Sequence, residues 1–96
     1  MKKFDLPVNY ELLKARERKE VREQYIEQQG GLCYFCECDL DGEPHPEIKE
    51  LSINFKMFPP GFLKNPIHLQ HDHDSGMTEG AVHSKCNAVM FQYYGR

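Results

Sequence analysis

The feature that most constrains this chain is a repeated spacing of metal-ligating side chains. Cys33-Tyr-Phe-Cys36 and His83-Ser-Lys-Cys86 each set two donors three positions apart. Two intervening residues let a tight turn aim both donors at one ion. Two such pairs supply the four ligands of a tetrahedral Cys3His zinc site. Such an ion would tie the middle of the chain to its C-terminal end. One Cys-x-x-Cys alone suits a redox dithiol equally well; the second pair tips the reading to structural zinc. A framework of two disulfides needs an oxidising compartment. The opening MKKFDLPVNYELL has two lysines but no apolar core of a signal peptide, so the expected location is the cytoplasm. Cys38 reads as a half-buried spare thiol, with a substitute for Cys36 as the alternative.

Size makes such a staple useful. A chain of 96 residues forms one domain, 1–96, and buries only about two-thirds of its unfolded surface. No apolar run approaches the roughly 20 residues of a membrane helix, so no membrane partner is expected. The formal charge is -3, with seven Lys/Arg against six Asp/Glu in residues 1–30 and five against nine in the rest. The basic excess usual in a nucleic-acid binder is missing, so charge by itself argues against that partner. Any phosphate contact would be local, or helped by metal ions or by a second copy of the chain.

Residues 5 to about 29 read as a helix, with Asp5 as N-cap, Pro7 in the first turn and Asn9 as a later start. The run ELLKARERKEVREQYIEQQ is dense in helix formers. Its apolar stripe (Leu12, Leu13, Val21, Tyr25, Ile26) is thin and packs on the domain or on a sister chain, which permits a homodimer through this helix. Its charges read as a solvated face; the functional alternative sets Arg16, Arg18, Lys19 and Arg22 on a phosphate backbone. Gly30-Gly31 ends the helix. Residues 37–47 are an acidic loop with His45 exposed. LSINFKM, 51–57, alternates as a half-buried strand, and Lys64 reads as solvated. Ile67–His71 is a second strand with Ile67, Leu69 and His71 on one face. Residues 77–82 return antiparallel, and 84 to about 93 form a helix with Cys86, Val89, Met90 and Tyr93 on one face. The fold class is α+β: an N-terminal helix, 1–30, and a zinc-bound ββα core, 31–96.

His68, His71 and His73, interleaved with Asp72 and Asp74, crowd the segment before the second knuckle. A neutral imidazole can take a proton from water near pH 7. Carboxylates, amides and imidazoles can hold a divalent ion that stabilises charge on a phosphate. By default His68 is a strand residue with no special role, and Asp74, Ser75 and Gly76 are turn residues.

The string Gln70-His71-Asp72-His73-Asp74-Ser75-Gly76, then Gly80, then His83-x-x-Cys86-Asn87, resembles the recombination endonuclease VII branch of the HNH nucleases. Those proteins carry Asp-His-Asp-His-x-Thr-Gly, a second Gly four residues later, and Cys-x-x-Cys-Asn. The first knuckle after Gln-Gln-Gly-Gly is similar to the family's zinc half-site, and the short chain is similar to small phage-encoded members. The resemblance covers residues 24–38 and 66–91. It implies a ββα-metal fold and phosphodiester hydrolysis of duplex or branched DNA, assisted by Mg²⁺ or Mn²⁺. By position, His71 would be the general base and His73 would contact the scissile phosphate. Asn87 would hold or orient the catalytic ion. Gln70 stands where the family has a metal-binding Asp, with Asp72 as a replacement ligand, and His83 stands for a zinc-binding Cys. Two rivals keep the zinc fold without cleavage. One is a catalytically weak or inactive nucleic-acid- or protein-binding module; the other is a small regulatory protein that makes its contact through loop 37–47.

Overall fold

The computed structural model describes residues 3–95. Its order is a 3-10 turn (Tyr10–Leu12), α1 (Ala15–Gln28), α2 (Pro46–Lys49), a second 3-10 turn (Phe55–Met57), β1 (Ile67–His71), β2 (Thr78–His83) and α3 (Ser84–Tyr94). β1 and β2 form one antiparallel ribbon, with Ile67 opposite His83 and Gln70 opposite Gly80. Consecutive residues Gly80, Ala81, Val82 and His83 are all buried. Side chains alternate along a strand, so both faces of the ribbon are covered. α1 and α3 supply the cover. The core joins Val21 and Tyr25 of α1, Leu69, Ala81 and Val82 of the ribbon, Met90 of α3, and Cys33, Leu40 and Cys86 near the knuckles. Each fully buried Val or Met contributes about 1.5–3 kcal/mol. No helix among the described residues is long and apolar enough to cross a membrane.

The first helix begins later than the sequence suggests. Asp5 caps nothing; helix α1 opens at Ala15. The segment before it is recruited by β2. The Thr78 N–H donates to the Val8 carbonyl at 2.8 Å, the Tyr10 N–H to the Gly76 carbonyl at 2.7 Å, and the Val8 N–H to Thr78 Oγ1 at 3.0 Å. Asn9 accepts from the Glu11 N–H and caps only the 3-10 turn. Helix propensity is a weak prior that such tertiary pairing overrides.

The strand expected at 51–57 is absent. Side chains of α3 take its backbone groups instead. The Ser52 carbonyl accepts from Tyr93 Oη at 2.7 Å and Gln92 Nε2 at 3.2 Å, and the Asn54 N–H donates to Gln92 Oε1 at 2.9 Å. With those groups occupied there is no free ladder to extend, and Asn54 turns the chain into a 3-10 turn. Phe55, expected to face inward, is 69% exposed. The acidic loop also holds a short helix, α2, whose N-cap is His45, accepting from the Glu47 N–H on Nδ1.

Strict alternation in β1 fails as well. A bulge between Gln70 and His71 sets His71 opposite Thr78 rather than Glu79. Bulges bend a strand and re-aim its next side chain; here that side chain is His71.

Candidate functional site

Two sites flank the junction of β2 and α3. In the first, Cys33, Cys36, His83 and Cys86 bring four donor atoms within 4.8 Å of one another. His83 Nδ1 lies 3.5 Å from Cys36 Sγ and 3.6 Å from Cys86 Sγ, close to the ligand separations of a tetrahedral zinc ion. Further bonds fix the ligands. His83 Nε2 meets the Asp39 carbonyl at 2.8 Å, which turns Nδ1 toward the cluster. Amide N–H groups of Phe35 and Cys36 donate to Cys33 Sγ at 3.4 and 3.5 Å. The Cys86 thiol donates a hydrogen bond to Cys33 and lowers the Cys33 thiol to about 4, while the same hydrogen bond and burial push Cys86 upward. The residues fit: three sulfurs and an imidazole, mostly buried, able to hold a structural metal ion such as zinc. All four positions are filled by protein, which leaves none open for a substrate. Cys38 stands outside the four, half-buried, its carbonyl accepting from the Cys33 N–H.

The knuckle is locked to the ribbon. Gln29, after the last residue of α1, accepts from the Ala81 N–H at 2.8 Å and donates to the Ala81 carbonyl at 3.0 Å. The Tyr34 N–H shares that carbonyl at 2.9 Å. Gly80 is required beside this lock, because a Cβ there would sit 2.8 Å from Gln29 Oε1 and from Tyr34 Cγ. Gly76, at φ +77°, shapes the hairpin loop, and a Cβ there would come 3.0 Å from Asn9 Oδ1.

The second site is a cavity of about 450 Å³ lined by His68, Gln70, His71, His73 and Asn87, with Arg18 and Arg22 of α1. His71 stacks on Tyr10, ring centroids 4.0 Å apart and 7° from parallel. The Arg18 guanidinium lies 3.9 Å over the same Tyr10 ring and donates to the Tyr10 carbonyl. Burial pushes the His71 imidazole below the ordinary histidine range, and nearby His73 pushes it further. Its neutral, proton-accepting form is therefore favoured at pH 7. His73 is exposed at the rim, its ring 5.0 Å from that of His71.

Asn87, in the first turn of α3, donates from Nδ2 to His68 Nδ1 at 2.9 Å. His68 then carries its proton on Nε2, and Oδ1 is the Asn87 atom that can face a cation. Burial lowers the His68 imidazole, in keeping with its accepting role. From sequence alone His68 is a strand residue with no special role. Its i,i+2 relation to Gln70 on the strand was the available signal. Gln70 is 2% exposed; its Nε2 donates to the His71 carbonyl at 3.0 Å and lies 3.4 Å from Glu79 Oε1. Asp72 is outside the cavity lining. Its Oδ1 accepts from the Asp74 and Ser75 N–H groups at 2.7 and 3.1 Å, which builds the loop. Among the described residues, donors of three or more His, Cys, Asp or Glu converge only at the Cys3His cluster.

No protein-family model matches the chain, and no curated protein or solved structure matches it.

Proposed function

We propose that this protein is a metal-dependent DNA endonuclease of the HNH type, with zinc as the structural ion in the Cys3His cluster. One observation carries the reading: His71, His73 and Asn87, from a strand, a loop and a helix, line one cavity with two arginines. His71, kept neutral by burial, accepts the proton of the attacking water. Arg18 and Arg22 draw the anionic backbone in, and His73 at the rim donates to a phosphate oxygen. A divalent ion at the Asn87 end would stabilise the charge gathering on that phosphate.

The residues fit such an ion only loosely. Mg²⁺ is usually bound through one or two carboxylates plus substrate phosphates. Here the chain offers the amide oxygens of Asn87 and Gln70. The ion would therefore be held largely by the DNA, and oxygen donors of this kind suit Mn²⁺ as well as Mg²⁺. The proposed substrate is duplex or branched DNA with little base readout, met in the cytoplasm by one chain or a homodimer.

Purified zinc-loaded protein should nick supercoiled plasmid with Mn²⁺, and His71→Ala should not. A wild-type protein that leaves plasmid intact at all metal concentrations would refute the activity. The neutral Gln70 favours a second reading, a zinc-stapled module that binds nucleic acid without cutting it. That module would hold DNA but gain no divalent-ion dependence.

A further inference from the structure

The cavity has two chemically distinct linings. α1 contributes cations, Arg18 and Arg22. The segment after the second 3-10 turn, with α3, contributes phenyl rings. Phe58 packs on Phe62 with centroids 4.6 Å apart and on Phe91 at 5.7 Å. The series continues from Phe91 to His73 at 5.5 Å, and from Phe62 to His68 at 4.8 Å. The rings thus run without a break into the imidazoles of His73 and His68. They are not a closed core: Phe91 is 37% exposed, and Met57 beside them is 44% exposed.

Cations suit a phosphate, but phenyl rings do not. A duplex presents its phosphates, sugars and base edges, and keeps its base faces stacked inside. Only an unpaired nucleotide offers a base face together with a phosphate. Grooves for single strands combine these same two elements, positive charge along the backbone and aromatic rings beneath the bases. A cavity of about 450 Å³ lies within the ordinary range for small-ligand sites.

We infer that the cavity takes an unpaired nucleotide of single-stranded DNA, its base against Phe58, Phe62 and Phe91 and its phosphate toward Arg18 and Arg22. The inference rests on the nuclease reading and narrows its substrate to strands that are open or can be opened at the cut. Paired DNA is engaged only after a base has left the stack, and mismatched or frayed positions open most readily.

The test is binding of a short labelled DNA strand to the zinc-loaded full chain, read by fluorescence anisotropy without added Mg²⁺ or Mn²⁺. Competitors are an abasic strand of the same length and the matching duplex. The base-bearing strand should bind about tenfold or more tighter than the abasic one, and tighter than the duplex. Phe91→Ser, at a partly exposed position, should remove part of that advantage, and Phe58→Ser with Phe62→Ser the rest. Arg18→Gln with Arg22→Gln should weaken both strands alike. Equal binding of base-bearing and abasic strands overturns the inference without any variant having to fold. So does preference for the duplex. So does a dimer in sedimentation that Phe91→Ser dissociates, since the rings would then be an interface between copies. Plasmid nicking is scored separately. Nicking with no strand preference removes the inference and leaves the nuclease; strand preference without nicking removes the nuclease and leaves the nucleotide site.

Discussion

The two sites beside the β2–α3 junction use similar residues to opposite ends. Around Cys33, Cys36, His83 and Cys86 the ligand set is complete, mostly buried and braced by the Asp39 carbonyl and two backbone N–H groups. Around His71 and Asn87 the set is open, partly exposed and short of charged oxygen donors. A site that holds an ion for stability must leave nothing for a substrate to supply. A site that works on a substrate must leave something unsatisfied. The contrast lies in what each imidazole faces. His83 is fixed by a carbonyl behind it, whereas His71 is fixed by stacking on Tyr10.

The largest effect is expected at the closed site. Zinc-finger peptides draw on the order of 10 kcal/mol of folding free energy from their metal, as much as a small domain's whole stability. Cys86→Ser, at a fully buried ligand, should abolish cooperative thermal unfolding followed by circular dichroism, and a strong chelator should do the same to wild type. A folded, cooperative Cys86→Ser protein would show that the cluster is not the staple. His71→Ala should do the reverse. Loss of a general base costs about 10²–10⁴ in rate, with the melting temperature nearly unchanged and zinc content still one per chain.

Gln70→Asp adds a carboxylate to the open site. It sets a carboxylate within reach of Glu79 in a buried position, so the metal-free protein should melt lower, by about 1–3 kcal/mol. Added Mn²⁺ should recover that loss, and half-maximal nicking should need less metal than in wild type. If metal leaves the variant's melting unchanged, residue 70 does not face the ion. His68→Ala should have a smaller effect, a several-fold loss of rate at saturating DNA, because it removes only the acceptor that orients Asn87. The pH profile should show the least change. On the nuclease proposal the active form of His71 is neutral, and burial holds its folded-state value below the ordinary histidine range. The rate should therefore stay flat as pH falls through about 6.5 and drop only below that. An acid limb above 6.5 would mean that His71 is not the base.

The closed site was the more legible in sequence because its spacing is local: three positions within each knuckle and one tetrahedron between them. The ribbon Ile67–His71 with Thr78–His83 and the helix from Ser84 followed from alternation and from apolar residues at helical spacing. The open site was legible only in part, through the crowding of His68, His71 and His73 before the second knuckle. Nothing in the composition of α1 distinguishes Arg18 and Arg22, which reach the cavity, from Arg16 and Lys19, since a helix with so thin an apolar stripe does not declare its inner face. The misread stretches share one cause. Val8 and Tyr10 are claimed by Thr78 and Gly76, and Ser52 and Asn54 by Gln92 and Tyr93. These partners are distant in sequence, and a local pattern cannot anticipate them.

Cys86 and Asn87 are consecutive on α3, one turned to the sulfur cluster and the other to the cavity. A helix rotates by about 100° per residue, so a single turn of backbone serves as the wall common to both rooms. A larger soft cation such as cadmium, seated among the sulfurs, would push on that wall from behind. Its neighbour's amide lies on the far side, so if the cavity cuts DNA as proposed, turnover would register an atom that never meets the DNA.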